Sequence, residues 1–313
     1  MNWLNSKVVV TGGAGFLGSH LCQALVERGA KVTVVDDFSF SAAGNLAAIS
    51  DDIQLVHHQL GGPSDSLELT EGWDVLFHLA AVADPRKCKE DFDLAFQTNV
   101  VGTKNILASC NNNGRVIFLS TASVYGEPEY VPIDEQHPLK GNDPYAITKI
   151  MGEGLCKHYY ENAGVPVTIV RNFNTFGPRQ SRAYLIPTLI YQALTSEVVE
   201  LWNPDPVRDF AYVSNTVDAL LAIADTEKTL GLTINVGGGE GIRAGDLAEK
   251  IGAMFQVPVV DLKKQVGGSA KLICDNSKLK TITGWSPTVT LEEGLSETIA
   301  YWRKQAEKEW CPG

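Results

Sequence analysis

No stretch of this chain stays apolar for the length a membrane-spanning helix needs, and no block of basic residues interrupts it. Lysine and arginine together number 26 against 37 aspartates and glutamates, a formal net charge of −11, which argues against nucleic acid as a main partner. The six cysteines, Cys22, Cys88, Cys110, Cys156, Cys274 and Cys311, show no paired spacing. That scatter indicates neither a zinc site nor a disulfide framework, so no metal is expected and a reducing compartment fits. The opening MNWLNSK runs into an apolar strand pattern with no signal-like region. These features lead to the expectation of a cytoplasmic protein with no membrane association. With 44% hydrophobic and 20% charged residues in 313, the chain has the composition of a globular protein large enough for a core and a second lobe.

What the chain does have is glycine in a telling place. Lys7 to Gly18 reads KVVVTGGAGFLG: three β-branched valines suited to a strand buried on both faces, a turn, and the start of a helix. Gly12, Gly15 and Gly18 stand three apart. The first two allow a tight turn close to a pyrophosphate and the third lets helix pack on strand, while the helix start at Phe16 and Leu17 offers N–H donors to phosphates. Glycine-rich turns also end ordinary strands, so the context decides. A helical pattern from Leu17 to Arg28 closes at Gly29, and a second apolar run from Lys31 to Val35 ends in Asp36. That acid stands about 20 residues beyond the glycines, where a dinucleotide fold places a carboxylate on the ribose hydroxyls. Asp36 would repel a 2′-phosphate, so NAD is expected rather than NADP.

Further apolar runs at Ile53 to Val56, Val75 to Leu79, Val116 to Leu119 and Val167 to Val170 alternate with helical patterns. The alternation predicts βαβ units in an α/β, Rossmann-type, doubly wound parallel sheet, with ligands at the carboxyl ends of the strands. Leu79, Ala80 and Ala81 follow one strand and leave room for a flat ring or a ribose; close packing explains small residues there equally well. Asn99, in the next helical region, is expected to bind backbone or cofactor. Another strand runs into Ser120, Thr121, Ala122, Ser123, Val124, Tyr125 and Gly126, and Asp143 with Pro144 then opens a helix as N-cap and first residue. Tyr145 and Lys149 lie four apart on that helix and share a face. An ammonium and a positive nicotinamide beside a phenol favour the phenolate, the base a hydride-transfer enzyme requires.

With these residues assembled, the chain resembles the extended short-chain dehydrogenase/reductase family, specifically its nucleotide-sugar epimerases and dehydratases. The resemblance rests on TGGAGFLGSH at Thr11 to His20, Asp36 to Ser39, Leu79 to Ala81, STASVYG at Ser120 to Gly126, YAITK at Tyr145 to Lys149, RNFNTFGPRQ at Arg171 to Gln180, VRDFAYV at Val207 to Val213, NVGGGEG at Asn235 to Gly241 and GWSPTVTLEEGL at Gly284 to Leu295. It implies that Tyr145 is the general base and acid, that Lys149 holds the nicotinamide ribose, and that Thr121 bonds the reacting sugar hydroxyl with Ser123 nearby. It also implies cofactor contacts at Asp37, Phe38, Ser39, Gln59 and Leu60. Substrate contacts are implied at Asn174, Arg179 and Arg208, with Gln265 near the second diphosphate contact. A salt bridge to the neighbouring Asp209 is the other reading of Arg208.

Within the family, dehydratases place an acidic pair after the threonine, and sugar-acid decarboxylases keep a glutamate there. Here those positions are Ala122 and Ser123. The expectation is therefore an NAD-dependent 4-epimerase of a UDP-hexose or UDP-hexuronic acid working through a 4-keto sugar. A reductase of 4-keto sugar nucleotides, a 4,6-dehydratase lacking its acidic pair, and a non-catalytic NAD-binding protein are the alternatives. The expected division is a dinucleotide domain over 1–172 with a return segment at about 205–235, and a smaller, sequence-discontinuous substrate lobe over 173–204 and 236–313. Apolar faces on helices at Asp91 to Cys110 and Tyr145 to Tyr160 suggest a homodimer, although core packing explains the same faces.

Overall fold

Lys7–Thr11 forms β1, and its three valines are buried on both sides because it lies inside a sheet, not at its edge. The computed structural model describes residues 3–62, 72–110, 114–264 and 269–310. After β1 come α1 (Phe16–Glu27), β2 (Lys31–Asp36), β3 (Ile53–His57), β4 (Val75–His78), α2 (Pro85–Glu90), α3 (Phe92–Phe96), α4 (Gly102–Ala108), β5 (Arg115–Thr121), α5 (Pro144–Ala163) and β6 (Val167–Asn172). The second half supplies β7 (Asn174–Phe176), α6 (Leu185–Thr195), β8 (Val199–Leu201), β9 (Val207–Tyr212), α7 (Val213–Asp225), β10 (Thr233–Val236), β11 (Gly241–Arg243), α8 (Ala244–Phe255), β12 (Val259–Asp261), β13 (Lys271–Leu272), α9 (Ser277–Thr283) and α10 (Leu291–Trp310).

Seven strands make one parallel sheet in the order β10, β6, β5, β4, β1, β2, β3. Strand order reverses beside β1, between it and β4, which is where a doubly wound fold opens its ligand crevice. The central strands are almost wholly apolar because helices cover both faces, whereas β3, at the edge, has no fully buried residue. The smaller lobe is built from β9 paired with β7, β11 and β13, and from β8 paired with β12.

Two expectations shift. The return segment to the large sheet was expected from about residue 205, but β9 pairs only within the smaller lobe, so the return begins at α7 and ends with β10 as the edge strand. The helical stretch from Asp91 to Cys110 is divided into α3, a π-turn at Gln97–Val101 and α4. The π-turn carries Asn99, whose side chain points inward. No helix among the described residues is long and apolar enough to cross a membrane.

Candidate active site

The crevice begins at the end of β1. Gly12 has φ +69°, and a Cβ there would stand 2.7 Å from the Ala80 backbone nitrogen, while a Cβ on Gly18 would stand 2.2 Å from the Gly12 oxygen. Strand, turn and helix therefore touch through backbone alone. Gly15 caps α1 without any side-chain acceptor, so the N–H groups at the start of that helix are left to an outside anion.

Asp36 closes the crevice at the end of β2. One of its oxygens accepts from Ala14 N at 2.9 Å, the other from Phe38 N at 2.9 Å and Ser41 Oγ at 2.8 Å. A carboxylate offers about four acceptor sites, so one remains for a ribose hydroxyl and another is gained by displacing Ser41. Asp37 accepts from Ser39 N, shaping the loop, and Phe38, in the left-handed region, stacks at 5.9 Å on His57. Gln59 is exposed beside this platform, and Leu60 is buried beneath it with Val9 and Val35.

A hydrogen-bonded chain that the sequence reading missed holds the other wall. Thr103 Oγ1 spends its proton on Asn99 O at 2.6 Å, so it accepts from His78 Nε2 at 2.9 Å; His78 Nδ1 is then the acceptor for Thr11 Oγ1 at 2.7 Å. Thr11 Oγ1 in turn accepts from Ala80 N, which fixes Leu79, Ala80 and Ala81 at the crevice. Burial, and secondarily the Lys149 charge, lower the His78 pKa to about 3, so the ring stays neutral and the chain keeps one polarity. Asn99 is fully occupied: its oxygen accepts from Val82 N at 2.8 Å, and its amide nitrogen donates to Val82 O and to Thr148 Oγ1 at 2.9 Å. It shapes the wall and does not present its amide to a cofactor.

Asp143 caps α5 by accepting from Ala146 N, with Pro144 at the first position. The helix turns Tyr145 and Lys149 toward the end of β5. Lys149 Nζ donates to Leu119 O at 2.7 Å and lies 4.9 Å from the Phe118 ring centroid. Desolvation lowers its pKa to about 8, against smaller opposing effects from Cys156, Glu153 and Cys88. Tyr145 packs half-buried on Val82, Cys88 and Ala95. Burial raises its pKa, Tyr184 and Cys88 add to the rise, and a hydrogen bond with the Thr121 side chain opposes it. Thr121 Oγ1 donates to Ser123 Oγ at 3.3 Å and accepts from Ser123 N at 3.2 Å, so the strand end, Ser123 and the phenol form one polar cluster. Tyr184, half-exposed just before α6, is a neighbour of Tyr145 that no sequence motif indicated.

On the other side, β7 carries Asn174 and the paired β9 carries Arg208. The Arg208 guanidinium donates to the Val207 carbonyl and forms no ion pair among the described residues. Asp209 does not pair with it, because its carboxylate accepts from Gly238 N, Gly239 N and Cys274 N. Burial still raises the Asp209 pKa to about 6. Arg179, expected with the substrate residues, is placed elsewhere: with φ +69° it turns onto α1, where Nη2 donates to Gln23 Oε1 at 2.9 Å. Gln265 lies outside the described residues.

These residues fit NAD. A Cβ on Gly12 or Gly18 would collide with backbone, the helix start carries no side-chain cap, Asp36 keeps acceptor capacity, and Lys149 lies in a dry site with the Leu119 carbonyl as its hydrogen-bond acceptor.

Compared with known proteins, the sequence pattern of the NAD dependent epimerase/dehydratase family matches residues 8–237. The chain is 34% identical to a UDP-N-acetyl-alpha-D-glucosaminuronate decarboxylase of Bacillus cytotoxicus, across 96% of this chain and 99% of that one. It is 32% identical to UDP-glucuronic acid decarboxylase 1 of Xenopus tropicalis, across 96% of this chain and 73% of that protein. Among solved structures it superposes on UDP-glucuronic acid 4-epimerase from Bacillus cereus, in complex with UDP-glucuronic acid and NAD, with a TM-score of 0.89 and 30% identity over 96% of this chain and 99% of the other.

Proposed function

Because this chain belongs to the NAD-dependent epimerase/dehydratase family, an enzyme family with NAD as its cofactor, we propose that it is a nucleotide-sugar 4-epimerase acting on a UDP-hexuronic acid or UDP-hexose. The observation that carries this reading is the composition of the cluster at the end of β5: Thr121 stands beside Tyr145, and Ala122 and Ser123 follow, with no carboxyl among them. The carboxylates on neighbouring segments are committed elsewhere. Glu127 accepts from Ala270 N, Glu135 from Asn235 N, Asp143 caps α5, Asp84 pairs with Arg86, and Glu153 pairs with Arg171.

Bound NAD supplies a hydride acceptor that later returns the hydride. Tyr145, as phenolate, removes the proton of the C4 hydroxyl when hydride leaves C4, and Thr121 orients that hydroxyl. Lys149 would hold the nicotinamide ribose of bound NAD, and its charge beside Tyr145 would offset the desolvation that otherwise keeps the phenol protonated. After the 4-keto sugar has turned its other face, Tyr145 gives the proton back and the hydroxyl is restored with inverted configuration. Arg208 and Asn174 hold the diphosphate as the fixed point about which the sugar turns.

The names of the two decarboxylase relatives favour a second reading on the same site. A 4-keto hexuronate is a β-keto acid and can lose carbon dioxide, so the two reactions diverge after the ketone forms. Incubation with UDP-glucuronic acid and mass analysis of the nucleotide sugar separates them. The epimerase reading expects unchanged mass and a new 4-epimer; a product lighter by carbon dioxide would replace that reading with decarboxylation. The expected homodimer would use the exposed Phe92, Met151 and Tyr160, and light scattering tests it.

A further inference from the structure

The parallel register of β5, β6 and β10 sets Ser120, Arg171 and Asn235 side by side in one row. All three are buried, and α5 lays Glu153 across the row. Glu153 Oε1 accepts from Ser120 Oγ at 2.6 Å and from Arg171 Nε at 2.9 Å, and Oε2 accepts from Arg171 Nη2 at 2.7 Å. Arg171 Nη1 donates to Tyr125 OH at 3.1 Å, and Tyr125 OH donates to Asn235 Oδ1 at 2.6 Å. Asn235 completes the chain by donating to Ile133 O from its amide and to Glu135 Oε1 from its backbone.

The position of this chain gives it meaning. Tyr145, Lys149 and Glu153 follow at four-residue intervals along one face of α5, and Ser120 immediately precedes Thr121. We propose that Glu153 is a positioning residue for the reaction, clamping the face of α5 that carries Tyr145 and Lys149 against the strand end that carries Thr121, with Arg171 and Asn235 extending the clamp to the edge strand β10.

Stability alone does not explain such a pair. Desolvating two charges offsets most of their attraction, and apolar residues of similar volume commonly serve as well or better. A bidentate guanidinium–carboxylate contact does supply direction, which apolar packing lacks. Apolar contacts would leave α5 free to rotate or slide slightly on β5, and a displacement of about 1 Å at reacting groups can cost about 100-fold in rate. Glu153 also favours the charged form of Lys149 across one helical turn, and Cys88, Cys156 and His78 also interact with that ammonium.

The clamp rests on NAD and the Thr121, Tyr145, Lys149 cluster, not on the product being the 4-epimer, so turnover is measured as consumption of whichever sugar nucleotide the parent enzyme converts. The double variant Glu153→Leu/Arg171→Met removes both charges without stranding either, and Ser120→Ala removes one bond to the carboxylate. The double variant is expected to keep the parent's Tm and bound NAD, with KM within about twofold and kcat lowered about tenfold to 100-fold. Ser120→Ala should lower kcat about threefold to tenfold in the same pattern. In NMR titration of Cε-labelled lysines, Glu153→Gln should move the Lys149 midpoint to lower pH. A double variant with kcat within twofold of the parent overturns the proposal, as does a kcat loss matched by equal loss of bound NAD or a collapse of Tm, which would mark the pair as mere scaffold. Should the double variant not fold, an unchanged kcat in Ser120→Ala or an unmoved Lys149 midpoint in Glu153→Gln rejects the clamp.

Discussion

Lys149 donates its ammonium to the backbone oxygen of Leu119 at 2.7 Å, inside a site dry enough to bring its pKa down to about 8. The folded state thus releases a proton that the unfolded chain holds until about pH 10.4. Between those values the unfolded chain binds more protons, so the unfavourable burial of the charge is fully present below pH 8 and relaxes as pH rises. Stability from this group should therefore rise above pH 8 while activity falls, because the ammonium that supports Tyr145 is lost. Melting curves and initial rates from pH 6.5 to 10 should move in opposite directions. Lys149→Met should flatten the stability trend, melt no lower than the parent at pH 7, and lose about 100-fold or more in kcat.

Tyr145 is the side chain beside Thr121 that is assigned to take and return the hydroxyl proton. Tyr145→Phe keeps the ring packed on Val82, Cys88 and Ala95 and deletes only the hydroxyl. Turnover should fall by about 10³-fold. NAD content after desalting should stay at the parent's level, since Asp36 and the glycine cradle are untouched. Appreciable remaining turnover would remove Tyr145 from the role of base.

Gly12→Ala tests the cradle. The substitution demands a Cβ 2.7 Å from the Ala80 nitrogen at a backbone φ of +69°, and the obstacle is backbone that cannot swing aside. Strain of about 1–3 kcal/mol is expected, expressed at the crevice where β1 meets β4. Calorimetry should show a lowered Tm, and the purified protein should carry much less NAD than Tyr145→Phe does.

The parts of this architecture legible in sequence were those that repeat locally. Valine runs and the Gly12, Gly15, Gly18 spacing marked β1 and the turn, and the Asp143–Pro144 pair marked the start of α5 within a residue. The four-residue spacing of Tyr145 and Lys149 placed them on one face. What was not legible depended on register between distant strands. Ser120, Arg171 and Asn235 are neighbours only because β5, β6 and β10 align them, and His78 reaches Thr11 and Thr103 only through a fold that spans the first third of the chain. Where Arg179 would stand was not legible for a related reason: its left-handed backbone turns it onto α1, and nothing adjacent in sequence announces that turn. Glu153 could have been noticed as the next member of the Tyr145, Lys149 series.

Arg208 poses the sharpest question on the substrate side, because an arginine beside an aspartate in sequence suggests a local ion pair. The structure gives Asp209 to three backbone amides instead, and among the described residues Arg208 donates only to the Val207 carbonyl, its pKa lowered by burial and opposed by Glu127. A half-buried guanidinium in that state is poised for an anion, and a diphosphate matches its fork. Arg208→Ala should weaken binding of the sugar nucleotide by about 10- to 100-fold, equivalent to a charge-assisted bond of about 1.5–3 kcal/mol. NAD binding should change by less than about twofold, since β9 lies in the smaller lobe and the cofactor crevice in the larger. Arg208→Lys should recover part of the affinity, because the charge returns without the fork. Calorimetric titration with UDP and with the intact sugar nucleotide measures both, and equal losses for substrate and NAD would show that the arginine supports the fold and not the diphosphate.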